Sequence, residues 1–463
     1  MKILIVSDGR YPAYVNGVSI YLHYLCREIV QTGHTVAMLH VKNSKFRGKP
    51  SLKISDEDQI RYFSISDSPL FISDALENPQ GNLMHSRLEN IFRKVLERFQ
   101  PDLVHIHELH RLPASIIDIA RDRSLPVAVS VHDFWFICPL FQLFTPQETI
   151  CPGSDGGRNC VVTCLAGDRL TRLYRRLTRI LAQTPAEKII RNLRNTYKRF
   201  KKEPPWQTTQ GVIVNKNHQN LRLRRLISDL GLREMRLRQL LSSCDLIHAV
   251  STAVAKVFIA HGIPESKIRV INLGVKAVDW LTPQRKTFTS PPLKVGFLGH
   301  LGPGKGAHVL IDANRFVKPE DIEIHLFGKA RPEDFQYIQN AANEKNNIVY
   351  HGPYDYRNLQ AIFDQIHILV IPSLWNETLG LIGLEAQAAG VPVIASAIGG
   401  MLDYVDHGIN GYLFNPGDAK QLADLLTDFI SHPKRIEDLS GNAKSPQNMA
   451  SHSEKMLQLY KGI

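Results

Sequence analysis

A chain of 463 residues exceeds what one hydrophobic core usually serves, so two domains are expected, and a composition of 43% hydrophobic and 22% charged residues is that of an ordinary globular protein. No apolar run approaches the roughly 20 residues that cross a bilayer, and Met1 to Ser7, followed at once by Asp8 and Arg10, is too short for a signal peptide, so the chain reads as cytoplasmic. The formal charge of +12 is concentrated in residues 169–238, about 19 Lys and Arg against about 4 acids, which suits a solvated helical face or a patch for anionic lipid, nucleic acid or an acidic polymer.

Ile3 to Ser7 is an apolar β-type run, Asp8 to Gly17 is rich in turn formers, and Leu22, Leu25 and Ile29 recur at helical spacing up to Gly33. Thr35 to Leu39, Leu103 to Ile106 and Val127 to Val131 are further strands. Residues 140–240 follow neither period, carry the basic surplus and break at Pro204-Pro205, so they read as an insertion. The apolar run Leu246 to Val250 then leads across a hinge placed at Cys244 to Thr252. The opening order returns with Leu293 to Leu298 as strand, Gly299 to Gly306 as a Gly-rich loop, a helix through Leu310 and Ala313, and Ile322 to Phe327 as strand; Ile348 to Tyr350, Ile368 to Ile371 and Val391 to Ala395 follow. Two such βαβ starts imply an α/β protein with two Rossmann-like domains facing across a cleft and mostly parallel sheets. The expected divisions are 1–249, with the insertion at about 140–240, then 250–440, then a C-terminal helix in 441–463 placed to pack back on the first domain.

Ligands of such sheets bind beyond the carboxyl ends of strands, which directs attention to three segments. Gly299-His300-Leu301-Gly302-Pro303-Gly304-Lys305-Gly306 offers close backbone amides, a helix start and the Lys305 charge to a phosphate. It also satisfies the first seven positions of a Walker A loop, but Gly306 denies it the hydroxyl that holds Mg²⁺; a plain turn is the alternative. Pro372 to Gly380 runs into a helix carrying Glu385, which ends at Gly390 before Pro392. Glu377 lies just ahead of that helix and Glu385 about one turn inside it, while the amides of Thr378, Leu379, Gly380 and Leu381 form a cradle. Sugar hydroxyls suit such carboxylates; the alternative makes Glu377 a helix-dipole partner and Glu385 an exposed charge. The third segment is Ser130-Val131-His132-Asp133, where His132 ends a strand facing the second half.

Cys138, Cys151, Cys160 and Cys164 cluster near turns, and either free thiols, an adventitious disulfide, or a structural zinc or iron–sulfur centre fits them, although paired Cys-x-x-Cys knuckles are missing. Asp56 and Asp58 form an Asp-x-Asp pair in a polar segment and read as a solvated turn rather than a metal site.

Glu377, seven residues, Glu385, continued as Ala386-Gln387-Ala388-Ala389-Gly390-Val391-Pro392-Val393-Ile394-Ala395, then Gly399-Gly400, Gly411 to Phe414 and Asn415-Pro416-Gly417-Asp418, resembles the retaining glycosyltransferases of family 4, with the GT-B fold. The resemblance is strongest from Val295 to Asp418 and fainter over Met1 to Val41 and Leu103 to Pro139. It implies that Glu385 binds the ribose of a nucleotide-sugar donor, that Glu377 holds the transferred sugar with amides of Thr378 to Gly380, and that Lys305 neutralises the diphosphate. His132 would touch the donor sugar near the reacting carbon, Gly17 would lie near phosphate and acceptor, and Gly328 would follow a donor-side strand. His300 departs from the family, which commonly has Arg there, and cannot make a bidentate clamp.

Those readings combine into transfer of a sugar from a nucleoside-diphosphate donor to a glycan or lipid-linked acceptor, retaining and metal-independent, with no required cofactor. An anionic membrane surface met by residues 169–238 is the expected docking partner, with no specific nucleic acid. Rival readings are a nucleotide-sugar epimerase of the same fold, a P-loop-like NTPase using Gly299 to Gly306, and a non-catalytic carbohydrate- or nucleic-acid-binding protein.

Overall fold

The computed structural model describes residues 1–42, 49–71, 75–165 and 221–463. Of the expected insertion, residues 166–220, with most of the basic surplus and Pro204-Pro205, lie outside the described residues.

The first half is an eight-stranded sheet built from β1 (Lys2–Ser7), β2 (Thr35–Val41), β3 (Ser51–Glu57), β4 (Ile60–Ser66), β5 (Leu103–Ile106), β6 (Val127–Val131), β7 (Leu246–Ala249) and β8 (Ile268–Val270). Its order is β3-β4-β2-β1-β5-β6-β7-β8. Ile3 sits between Val36 of β2 and Leu103 of β5, and Ile3 to Val6 are fully buried. Helices cover both faces of a parallel sheet, which explains why these central strands read as continuous apolar runs rather than alternating ones. All neighbours are parallel except β3 and β4, a hairpin turned by Asp58 and Gln59, both at positive φ. Within the segment read as a hinge, Cys244 to Thr252, residues Leu246–Ala249 form β7, and β8 extends the first sheet beyond position 249.

The second half is a six-stranded, wholly parallel sheet of β9 (Leu293–Leu298), β10 (Ile322–Phe327), β11 (Ile348–Gly352), β12 (Ile368–Ile371), β13 (Val393–Ser396) and β14 (Gly411–Phe414), in the order β11-β10-β9-β12-β13-β14. Its core joins Val295, Leu310, Ile324, Ile368, Ile394 and Phe429.

Contacts across the halves fix their relation. Glu28, on the Gly17–Gln31 helix, accepts from Lys276 Nζ at 3.1 Å. The final helix, Met449–Lys461, lies against that same first-half helix, joined to it by Tyr21 Oη and His452 Nε2 at 2.8 Å and to β5 by Tyr460 Oη and His105 Nδ1 at 2.6 Å.

Two glycines after second-half strands separate steric need from conformational need. Gly328 has φ +145° and a Cβ there would lie 1.6 Å from the Gly299 carbonyl oxygen, whereas Gly352 has φ +77° with open space around it. Urea unfolding should show Gly352→Ala costing about 1 kcal/mol from the left-handed backbone alone. Gly328→Ala should cost several-fold more; equal losses would contradict the close approach of the two loops.

Candidate active site

The parallel part of each sheet reverses its strand order once, between β1 and β5 in the first and between β9 and β12 in the second, and a crevice opens beyond the carboxyl ends of strands at such a point. The loops that follow β1, β6, β9, β10 and β12 carry the residues singled out in the sequence.

After β9 and β12, two loops are locked face to face. Gly306, at φ +72°, leaves room where a Cβ would meet the Pro372 carbonyl at 1.8 Å, and Leu374 N–H donates to the Gly304 carbonyl at 2.9 Å. Lys305, in the turn Pro303–Lys305, thereby reaches Glu377 Oε1 at 2.6 Å. Ser373 Oγ and Trp375 Nε1 donate to the same oxygen at 2.9 and 2.7 Å, and Oε2 takes none of the three. Glu377 is 8% exposed. Burial alone would raise its carboxyl pKa, but the Lys305 charge and these three hydrogen bonds outweigh it and hold the group below its ordinary value, so it is a carboxylate with one oxygen clamped. Gly399 and Gly400 let the neighbouring segment close over this loop, with Gly400 N–H donating to the Glu377 carbonyl at 2.8 Å.

Gly380, at φ +74°, turns this loop into the Leu381–Ala388 helix. Among the described residues, none of the amides of Thr378, Leu379 and Gly380 donates to a backbone carbonyl, as is usual for the amides at a helix start. Glu385 is 5% exposed, so it is not an exposed helix charge. Burial pushes its carboxyl up to about 7, and the hydrogen bond from Tyr356 offsets only part of that. His300 lies exposed at the lip of the Gly-rich loop, where partial burial and then the Arg331 charge hold its imidazole below its ordinary pKa, hence neutral near pH 7. The Walker A alternative fits this geometry poorly, because Lys305 is held by Glu377 and Gly306 backs onto Pro372.

The first half meets these loops directly. Gly17 opens its helix behind the N-cap Asn16, whose side chain accepts from Ser19 N–H at 2.7 Å, and a Cβ on Gly17 would lie 3.7 Å from Leu381 Cδ1. Phe144 packs edge-on to Trp375 with ring centroids 6.4 Å apart, and Glu148 feels the Arg331 charge. His132, at the end of β6, is buried and joined to His107 at 2.8 Å.

Sequence reasoning missed the group beside it. His110 is held between Asp8 at 2.8 Å and Asp133 at 2.7 Å; burial opposes its charge, but the two carboxylates outweigh it and raise its pKa well above the ordinary value. Glu108, pushed up to about 7 by burial and by Asp8, accepts from Ser7 Oγ at 2.7 Å and from Asn16 Nδ2 at 3.3 Å, tying this cluster to the start of the Gly17 helix. The run His107-Glu108-Leu109-His110, directly after β5, was the available signal.

One open choice narrows and two expectations need correction. Cys138, Cys151, Cys160 and Cys164 are free thiols, and among the described residues they form no group of three or more ligands that could hold a metal ion. Cys160 instead packs with Leu76, Val161 and Leu230, and burial raises its thiol pKa to about 12, so it acts as a small apolar side chain. Asp56 belongs to β3 rather than to a turn and pairs with Arg61 at 2.9 Å, while Asp58, in the turn, pairs with Arg27. Arg233, counted in the basic patch, is 1% exposed: it donates to the Trp135 carbonyl at 3.0 Å and to Asn82 Oδ1 at 3.3 Å. No described helix is long and apolar enough to cross a membrane.

The profile of Glycosyltransferase Family 4 matches residues 15–198, and that of Glycosyl transferases group 1 matches residues 279–445. A D-inositol 3-phosphate glycosyltransferase of Xylanimonas cellulosilytica is 29% identical over 35% of this chain and 41% of its own length. An uncharacterised 41.2 kDa protein of the Klebsiella pneumoniae cps region is 27% identical over 42% of this chain and 54% of its own. The chain therefore spans about half the length of these relatives. Among solved structures, the sucrose-phosphate synthase of Thermosynechococcus elongatus aligns with a TM-score of 0.64 at 16% identity, covering 100% of this chain and 98% of that one. Anabaena HepE in complex with UDP and glucose aligns at 0.58 and 15%, covering 100% of both. At such identities the likeness shows the fold, two facing parallel-sheet halves of the GT-B type. With one profile on each half and that fold around both, the chain belongs to glycosyltransferase family 4.

Proposed function

We propose that this chain transfers a sugar from a nucleoside-diphosphate donor to a glycan or lipid-linked acceptor, with retention of anomeric configuration and without a metal ion. The observation that carries the reading is the clamped Glu377: Lys305, Ser373 and Trp375 occupy one carboxylate oxygen and leave the other for a ligand hydroxyl, next to amides at a helix start that donate to no backbone carbonyl among the described residues. Family membership and the donor named with HepE support it.

In this reading the ribose donates its hydroxyls to Glu385, and Glu377 Oε2 accepts from the transferred sugar. Lys305 and the amides of Thr378 to Gly380 stabilise charge as the bond between the anomeric carbon and the diphosphate oxygen breaks. The acceptor oxygen bonds to the same carbon on the same face, and its proton passes to the departing phosphate oxygen. His132 contacts the donor sugar, Gly17 gives the diphosphate and acceptor room, and neutral His300 leaves the leaving group chiefly to Lys305. The acceptor side includes an anionic membrane surface met by basic residues in 169–238, Arg233 excepted.

Lys305→Met and Glu377→Gln should each lower kcat/KM for sugar transfer by roughly 10²–10³-fold, the loss of one charged transition-state contact. Activity should survive EDTA; loss on chelation with recovery by Mn²⁺ would contradict the metal-free step.

Glu385 gives a pH signature. Its folded pKa, about 7, stands above the ordinary 4.5, so its neutral form favours the native state at low pH and that contribution is lost as pH rises through about 7. Ribose hydroxyls donate to the ionised form, so nucleotide-sugar affinity should rise with pH up to about 7 and then level, with a proton released on binding below that point. Calorimetry in two buffers of different ionisation heat measures the proton; in Glu385→Gln it should vanish.

A further inference from the structure

Four histidines, His248, His105, His107 and His132, converge behind β5, β6 and β7, and their hydrogen bonds run in one direction. The Ile271 carbonyl can only accept, so His248 Nε2, 2.7 Å away, donates to it. Burial holds the His248, His105, His107 and His132 imidazoles below their ordinary pKa, His132 at about 3, so each ring is neutral, with one N–H and one bare nitrogen. His248 Nδ1 is therefore bare, and the Ser130 hydroxyl donates to it at 2.7 Å. Ser130 has one proton, so in its 2.8 Å contact with His105 Nε2 the serine oxygen accepts and the nitrogen donates. His105 Nδ1 is then bare and takes a donor from Tyr460 Oη at 2.6 Å and, in a longer contact between rings whose centroids lie 3.9 Å apart, from His107 Nε2 at 3.2 Å. His107 Nδ1 is left bare in turn, and His132 Nε2 donates to it at 2.8 Å. His132 ends the chain with its proton on Nε2; among the described residues no hydrogen bond reaches its Nδ1.

We propose that His107, His105 and Ser130 are positioning residues whose one-way hydrogen-bond chain locks His132 as the Nε2–H tautomer and leaves a bare Nδ1 for the ligand. The group met by His132 must then bring a proton, as a sugar hydroxyl does and a carboxylate does not. That consequence rests on the transferase reading, in which His132 meets the donor sugar; the tautomer itself does not. Tyr460 comes from the last helix, so the far end of the chain contributes to the state of a residue at the crevice. Tyr21 adds a second tie, packing on His132 with ring centroids 5.5 Å apart while its hydroxyl bonds His452 of the same helix.

Side-chain ¹⁵N NMR of the full chain labelled at histidine, without ligand at pH 7, reads the tautomer directly, with the His132 signals assigned by their loss in His132→Asn. The expected result is a protonated Nε2 and an unprotonated Nδ1. His107→Asn places an amide oxygen where His107 Nδ1 stood and should preserve that pattern; His107→Leu removes the acceptor and should give tautomer-averaged signals. An Nδ1-protonated or doubly protonated His132 in the unsubstituted protein would overturn the proposal, as would identical His132 signals in the Asn and Leu variants. This readout needs no sugar transfer: a correct tautomer in a protein that binds no donor would reject the transferase reading and leave the chain of bonds standing.

Discussion

The ion pair between Lys305 and Glu377 joins two loops that leave different strands of one sheet, and the geometry of the crevice depends on it. Glu377 is almost wholly buried while Lys305 is about one-third exposed, so the carboxylate is the partner that cannot do without the other. Gly306 and Gly304 exist at their positions because the loops touch backbone to backbone and backbone to indole there. Glu377 stays ionised despite burial only because Lys305 and two further donors share one of its oxygens. A charge held in this way is preorganised: its remaining oxygen and the lysine need no rearrangement when a ligand arrives.

The two buried carboxylates are tuned in opposite directions by what surrounds them. Glu377 has a cation and is held down; burial carries Glu385 up to about 7, and among the described residues the Tyr356 hydroxyl is what partly offsets it. A ligand that brings hydroxyls to Glu385 supplies what the protein withholds. On the first-half side, His110 is the inverse case, a buried imidazole kept charged by two aspartates, while burial keeps His105, His107 and His132 neutral. Charged and neutral histidines thus lie within a few residues of one another after β5.

Much of this was legible in the sequence because parallel strands buried on both faces leave unbroken apolar runs: Leu103–Ile106, Val127–Val131 and Leu293–Leu298 have the bounds read from composition alone. Glu377 and Glu385 stood out because carboxylates beside a buried helix need polar partners. The hairpin of β3 and β4 escaped because Ser51–Glu57 is exposed along nearly its whole length and offers no apolar alternation to read. Leu246–Ala249 was apolar enough to notice, yet nothing local distinguishes a short buried strand from a linker; pairing with β6 decides it. Histidines at 105, 107 and 248 each look like an isolated polar residue in an apolar setting, and only the fold brings them into one chain of bonds that ends at His132. Arg233 shows the same limit in reverse, since charge counting cannot tell a solvated arginine from one stacked in the core over Trp135.

The claim on which the rest depends is that the crevice grips an activated sugar through its nucleotide and diphosphate. Thermal unfolding with a panel of UDP-, GDP- and ADP-sugars tests it without knowledge of the acceptor, because a ligand that binds only the folded state must raise the midpoint. One nucleotide class should raise the unfolding temperature of the unsubstituted protein, with the shift much reduced in Lys305→Met and in Glu385→Gln. No shift with any member of the panel, or a shift of equal size in both variants, would contradict the account.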